Sequence, residues 1–353
     1  MVFMNIRKTL LAVGAASALV LSGCAATGDA SDEAGDKLVV KASFYPLQYL
    51  VEEIGQDKVA VASLTPPGTD AHALELSPKT VAELSSSDAV VYLHGFQSAV
   101  DEAVAQGGPE HVLDVTEAAK LAETGAKPAH DHGDADDAHD DDAHEGETHE
   151  GDDTHEAEDA HDHGDADDTH DDDAHEGHNH DLEGDPHFWL DPARMADVAV
   201  QIGDFLGETD PENLDFYKEN AQSVAKSMHD LEEELVSSLG QCKLDTFVVS
   251  HQAFGYLAAK AGLTQVGISG LEPEVAPSPE RLKEIGEVVK EHGVGVIYAE
   301  ANVSPKAVEV LASDLGVETM TLDPGASQND PDSDYMDIMR TNIKNLQKGL
   351  DCK

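Results

Sequence analysis

Basic side chains are scarce in this 353-residue chain: 21 Lys and Arg stand against 72 Asp and Glu, for a formal net charge of −51 at neutral pH. So acidic a surface repels phosphate, which excludes nucleic acid as a partner and suits a protein that handles cations. The apolar stretch at residues 9–21 is shorter than the ~20 residues a membrane-spanning helix needs. No His-Glu-x-x-His sequence occurs. Without that pairing of metal ligands and general base on one helix, the chain reads as a binding protein and not as an enzyme. Tryptophan occurs once, at Trp189, and cysteine three times, at Cys24, Cys242 and Cys352.

What is present begins with an export signal. Arg7 and Lys8 precede the apolar stretch, which ends in Leu21-Ser22-Gly23-Cys24. This pattern is that of a lipoprotein signal over residues 1–23, cleaved before Cys24 and acylated on its thiol. Residues 24–36 are small and acidic and read as a tether reaching ~40 Å when extended. The protein is therefore expected outside the cytoplasm, anchored by lipid to the bacterial cell membrane. In that oxidising compartment the two remaining cysteines, Cys242 and Cys352, are expected to be bridged.

The histidines are concentrated in one tract. Residues 130–181 hold 24 acidic residues, no Lys or Arg, and 12 of the 19 His of the chain. These are His130, His132, His139, His144, His149, His155, His161, His163, His170, His175, His178 and His180. The 17 residues from His130 recur from His161 with one change, Ala138 to Thr169. Almost free of large apolar side chains, the tract cannot pack a core and is expected to be a disordered insertion. Imidazole with carboxylate suits zinc, and also copper or nickel, so the tract reads as an accessory metal-collecting arm of low selectivity.

On either side of the tract, strands and helices alternate. Strands are expected at residues 37–44, 59–64 and 89–93, with helices at 45–54 and 77–85 between them. Ser77-Pro78, Asp191-Pro192, Asp210-Pro211, Ser278-Pro279 and Ser304-Pro305 each place a capping residue before a proline at the first helical position. The pattern after Asp210 runs to Leu239, which predicts a helix of ~43 Å, long enough to bridge two domains. Strands at 246–249, 266–268, 294–299 and 317–322 then alternate with helices to the end of the chain. The reading is α/β: two lobes, 37–209 and 241–353, joined by a long helix at 210–240, with the tract inserted in the first.

In parallel α/β sheets, ligands bind beyond the carboxyl ends of the strands. His72, His94, His251 and Asp323 all fall there. Asp185-Pro186-His187-Phe188-Trp189-Leu190-Asp191-Pro192, directly after the tract, adds a His between two helix-disfavouring prolines. His72, His187, His251 and Asp323 can complete a tetrahedral zinc shell with no obligatory open position for catalytic water. They lie far apart in sequence, unlike the ligands of a zinc finger, so the lobes should fold without metal and bind it between preformed walls.

The lipobox, Asp70-Ala71-His72, the His-rich insertion, the stretch from Asp185 to Pro192, Val249-Ser250-His251-Gln252-Ala253-Phe254-Gly255-Tyr256 and Leu322-Asp323-Pro324 occur in one order along the chain. Together they resemble the zinc-binding subunit of bacterial ABC transporters, the ZnuA-like family, from Cys24 to Cys352. The resemblance implies two α/β lobes joined by one long helix, a Zn2+ ion in the cleft between them, and delivery by a monomer to a membrane permease driven by its ATPase. It matches His72, His187 and His251 to ligands. Asp323 competes with Glu75, Glu300 or water for the fourth place; His94, which has no counterpart in the family, is expected beside the ligands. Manganese relatives place Glu where this chain has His251, so Mn2+ is the alternative ion. A surface zinc buffer or adhesin uncoupled from transport is the alternative use.

Overall fold

Apolar runs such as Leu38-Val39-Val40 and Thr246-Phe247-Val248-Val249 form strands of two parallel sheets; the second run is buried throughout, while Val39 of the first is exposed. The computed structural model describes residues 37–122, 182, 184–273, 275–301 and 306–353. The signal, the tether, Cys24 and the His-rich tract lie outside the described residues.

The first lobe opens with β1 (Leu38–Ala42), α1 (Tyr45–Gly55) and β2 (Val59–Ser63). It continues through α2 (Pro78–Ser85), β3 (Ala89–Tyr92), α3 (Ser98–Gly107), β4 (His111–Asp114) and the single turn α4 (Thr116–Ala119). Its strands run parallel in the order β2-β1-β3-β4. After the insertion, a 3-10 turn at Phe188–Leu190 leads into α5 (Pro192–Thr209) and α6 (Leu214–Leu239). The second lobe holds β5 (Thr246–Val249), α7 (Gly255–Ala261), β6 (Thr264–Gly267), α8 (Pro279–Glu291) and β7 (Val296–Glu300). It closes with α9 (Lys306–Leu315), β8 (Glu318–Leu322) and α10 (Tyr335–Gly349). Its order, β6-β5-β7-β8, repeats that of the first lobe.

Each sheet carries an outer core of its own and shares an inner one. Leu64, Leu84, Val90 and Val100 pack beneath α2 and α3 on the first lobe, and Val248, Ile285, Ile297 and Val308 beneath α8 and α9 on the second. The inner core runs without a break from Val40 and Leu47 through Ile202, Met228 and Leu235 to Phe247 and Met339. The long helix α6 touches α1 of the first lobe and α7 and α10 of the second, so it spans the pair at ~39 Å. Beside it α5 approaches so closely that a Cβ on Gly203 would stand 2.4 Å from that of Ala221.

The expected helix at 210–239 begins later than its cap signal. Asp210 spends its carboxylate on Tyr217 Oη (2.8 Å) and Asn213 Nδ2 (2.7 Å), so the first residues form a 3-10 turn and the α-helix starts at Leu214. Three elements had no expectation at all: α3, β4 and α4. Strand β4 is four residues long and has no fully buried position, so it lacks the apolar run that marks the others. At the far end, Cys242 and Cys352 are joined by a disulfide that ties the end of α6 to the residues after α10.

The insertion departs and returns at one point. Asp185 N–H donates to the carbonyl of Ala122 at 3.0 Å, and Gly184 turns there with φ +100°. A Cβ on Gly184 would sit 3.1 Å from Ala122 N, so the closure requires glycine. Because closure entropy rises by only ~0.6 kcal/mol per doubling of loop length, a segment this long is tolerated where its ends already touch.

Candidate metal centre

Three imidazoles meet between the lobes. His72 sits in the loop after β2, His187 just ahead of the 3-10 turn, and His251 just after β5. Their Nε2 atoms approach to 3.1 Å between His72 and His187 and 3.3 Å between His187 and His251. One ligand atom from each lies within 4.8 Å of the others. His187 and His251 are buried, and His72 is partly so. The pocket they share has a volume of about 20 Å³, enough for one ion or water, and Asp70, Pro273, Glu300, Pro324 and Ala326 help line it.

Each histidine is held by a carboxylate. Asp70 Oδ1 accepts the backbone N–H of His72 at 3.0 Å, and Asp185 Oδ1 accepts that of His187 at 2.9 Å. Asp185 Oδ1 also takes His187 Nδ1–H at 2.7 Å. Glu300, the last residue of β7, takes His251 Nδ1–H and the Ser250 hydroxyl on Oε1. Gln97 Nε2 fixes the His72 loop by donating to the carbonyl of Ala71 at 3.0 Å and to Thr65 Oγ1 at 2.9 Å. Trp189 forms the floor: its ring lies 5.1 Å from that of His187, and its indole N–H donates to Pro324 O of the second lobe at 2.7 Å. Phe96 closes the His72 side at 4.9 Å between ring centroids.

This arrangement calls for a cation. With both Nδ1–H groups given to carboxylates, His187 and His251 turn lone pairs toward each other at 3.3 Å. Burial, with the charges of His187 and His251 behind it, pushes His72 down to about 2, so this imidazole is neutral at physiological pH. Burial also lowers His187, against the opposing hydrogen bond and charge of Asp185. For Glu300 burial works upward, but the hydrogen bond and charge of His251 and the Ser250 hydroxyl outweigh it and hold the carboxyl below its ordinary range. Three imidazole nitrogens backed by the buried carboxylates of Asp185 and Glu300 suit the charge of one divalent ion.

The other expected residues lie elsewhere. Asp323 is not part of the three-histidine cluster and does not line the pocket. Its Oδ1 accepts Gly325 N–H at 2.8 Å and its Oδ2 accepts Asn329 Nδ2 at 3.0 Å, shaping a turn that presents Pro324 and Ala326 to the metal pocket. Burial raises the Asp323 carboxyl against those two hydrogen bonds. Glu75 is exposed. His94, 45% exposed at its side chain, pairs with Asp101 at 3.0 Å outside the cluster. A larger cavity of about 370 Å³ shares His251, Glu300 and Pro273 with the pocket. Its walls are chiefly apolar, including Ile268, Val275, Leu282 and Val308, so it adjoins the ligand set without offering another.

The sequence pattern of the family described as zinc-uptake complex component A, periplasmic (ZnuA), matches residues 40–349. The chain belongs to the ZnuA family. Among its relatives, the zinc-binding lipoprotein AdcA of Streptococcus pneumoniae is 31% identical over 98% of this chain, which spans 61% of that longer protein. The high-affinity zinc uptake system protein ZnuA of Bacillus subtilis is 30% identical, with 96% of this chain and 97% of the relative covered. In three dimensions, a Zn(II)-bound AdcAII variant of S. pneumoniae superposes with a TM-score of 0.68 at 28% identity, over 90% of this chain and 99% of that one. The laminin-binding protein Lmb of Streptococcus agalactiae, described as having adhesin and metal-transporting activity, matches with the same score at 27% identity over 89% and 99%. These ZnuA-family structures share the two lobes and the long helix between them. Among the described residues, no helix is long and apolar enough to cross a membrane.

Proposed function

We propose that this chain captures Zn2+ outside the cytoplasm and delivers it to an ABC-type permease driven by an ATPase, with His72, His187 and His251 as protein ligands and water in the fourth place. The observation that carries this reading is the convergence of three Nε2 atoms, two of them fixed as acceptors by buried carboxylates. Three imidazoles favour zinc over manganese, which prefers oxygen ligands. Acylation of Cys24 would hold the monomer at the membrane, and the tract at 130–181 would collect ions for the cleft. The AdcA and ZnuA names of its relatives agree with zinc uptake. The description of Lmb keeps an adhesin role beside it.

Calorimetry tests the ligand set. A variant lacking residues 130–181 should bind one zinc tightly, and His251→Ala in that background should weaken it by several kcal/mol, because removing one ligand leaves a dication in an incomplete dry shell. Parental affinity in that variant would remove His251 from the ligands. Loss of all tight binding on deletion alone would make the tract the receptor. Growth of a deletion strain under zinc limitation separates uptake from adhesion.

A further inference from the structure

Tyr256 lies on α7, five residues beyond His251, and is buried. Its hydroxyl is the meeting point of three backbone groups from the other lobe. Ala122 N–H donates to it at 2.8 Å, and its own proton is shared between the carbonyls of Asp185 at 2.8 Å and Ala122 at 3.0 Å. The Arg194 guanidinium covers the ring at 4.3 Å while Arg194 Nη1 donates to Ala119 O at 2.7 Å, so the phenol cannot swing away without disturbing that strand of backbone. Asp185 is the residue whose carboxylate holds both the backbone N–H and the Nδ1–H of His187.

The second lobe therefore grips His187 twice. It does so at the ion, which His251 Nε2, 3.3 Å from His187 Nε2, would share with it, and away from the ion, through Tyr256, Asp185 and then His187 Nδ1. Both grips start from one segment, His251 to Tyr256. We propose that Tyr256 is a positioning residue of the metal site, whose hydroxyl holds Asp185 so that His187 Nε2 faces the ion, and which lets go of His187 in the same movement that withdraws His251 when the lobes part. Ion release then becomes one cooperative event in place of a stepwise loss of ligands. The inference rests on the reading of the three histidines as zinc ligands.

Zinc-loaded full-length protein, mixed with excess EDTA, should lose ions from exposed imidazoles first and from the cleft in a slow phase, which His72→Ala should abolish. Tyr256→Phe, which deletes one oxygen, should speed the slow phase about ten-fold, the low end of the effect of outer-layer metal partners. Tyr217→Phe loses a buried hydroxyl contact to Asp210 at 2.8 Å, remote from the cleft, and should lower stability while leaving the slow phase at the parental rate. Because Tyr256 acts through Asp185, the double variant Y256F/D185N should be no faster than D185N alone. A parental slow phase in Y256F, or additive effects in the double variant, overturns the proposal. A slow phase that survives His72→Ala overturns instead the ligand reading beneath it. Should Y256F not fold, Tyr256→His, which returns a ring with a hydrogen-bonding nitrogen, is judged by the same two criteria with an effect smaller than ten-fold.

Discussion

Asp-x-His is written twice in the residues that reach the cleft, as Asp70-Ala71-His72 and Asp185-Pro186-His187, and in both the aspartate oxygen accepts the histidine N–H. The turn is local chemistry and could have been read from sequence as a device for aiming an imidazole. The ring contact of Asp185 and the whole of Glu300's part in orienting His251 could not, because Glu300 comes from β7, 49 residues away. The depressed pKa values at this scale have a signed consequence. For His72 and His187, whose folded values lie below the free-imidazole value of ~6.5, the unfolded chain binds more protons between the two values. Their contribution to metal-free stability is thus complete above pH ~6.5 and is lost as the pH falls below it, toward about 2 for His72. On the proposed ligand set, the same depression keeps their lone pairs available to zinc where exposed imidazoles are protonated. Zinc titrations of the full chain at pH ~7.5 and ~5.5 should therefore show the weak sites disappearing while one tight site persists.

At the scale of elements, the cap signals were the most legible feature. Ser77, Asp191 and Ser278 each accept a hydrogen bond from a first-turn N–H behind a proline, as the dipeptides predict. Ser304-Pro305 lies outside the described residues, and α9 follows from Lys306. Only Asp210 departed, because tertiary partners claimed its carboxylate. The close pairing of α5 and α6 had no such signal: Gly203 reads as a weak helix residue until Ala221 and the carbonyl of Tyr217 are seen against it. Gly203→Ala tests which effect wins. Helix propensity favours alanine by ~1 kcal/mol, but overpacking costs ~1–3 kcal/mol, and with a contact of 2.4 Å the helices must separate. The variant should be less stable by ~1–2 kcal/mol in urea titrations. An unchanged or raised midpoint would show that the helix pair gives way easily.

For the whole molecule, the disulfide is the test of how the ends are held. Cys242 and Cys352 are 110 residues apart and enclose the entire second lobe. Replacing both with serine should cost ~2–4 kcal/mol of stability, since closing so long a loop removes much freedom from the unfolded chain. Zinc affinity should be retained, because neither cysteine approaches the pocket. Equilibrium unfolding of the serine variant, with and without zinc, measures both.

Composition, periodicity and short-range motifs determined on their own that the chain is α/β, where most helices start, and which histidines stand at strand ends. These are local properties, set by burial pattern and by hydrogen bonds within a few residues. Which of those residues meet was decided only in three dimensions. Strand order brought Glu300 beside His251, the shared core set by α5 and α6 brought His72 and His187 against the second lobe, and the turn at Asp323 engaged both oxygens of that carboxylate with Gly325 and Asn329. Distances across a packed interface depend on side chains far apart in the chain. No window of sequence contains them.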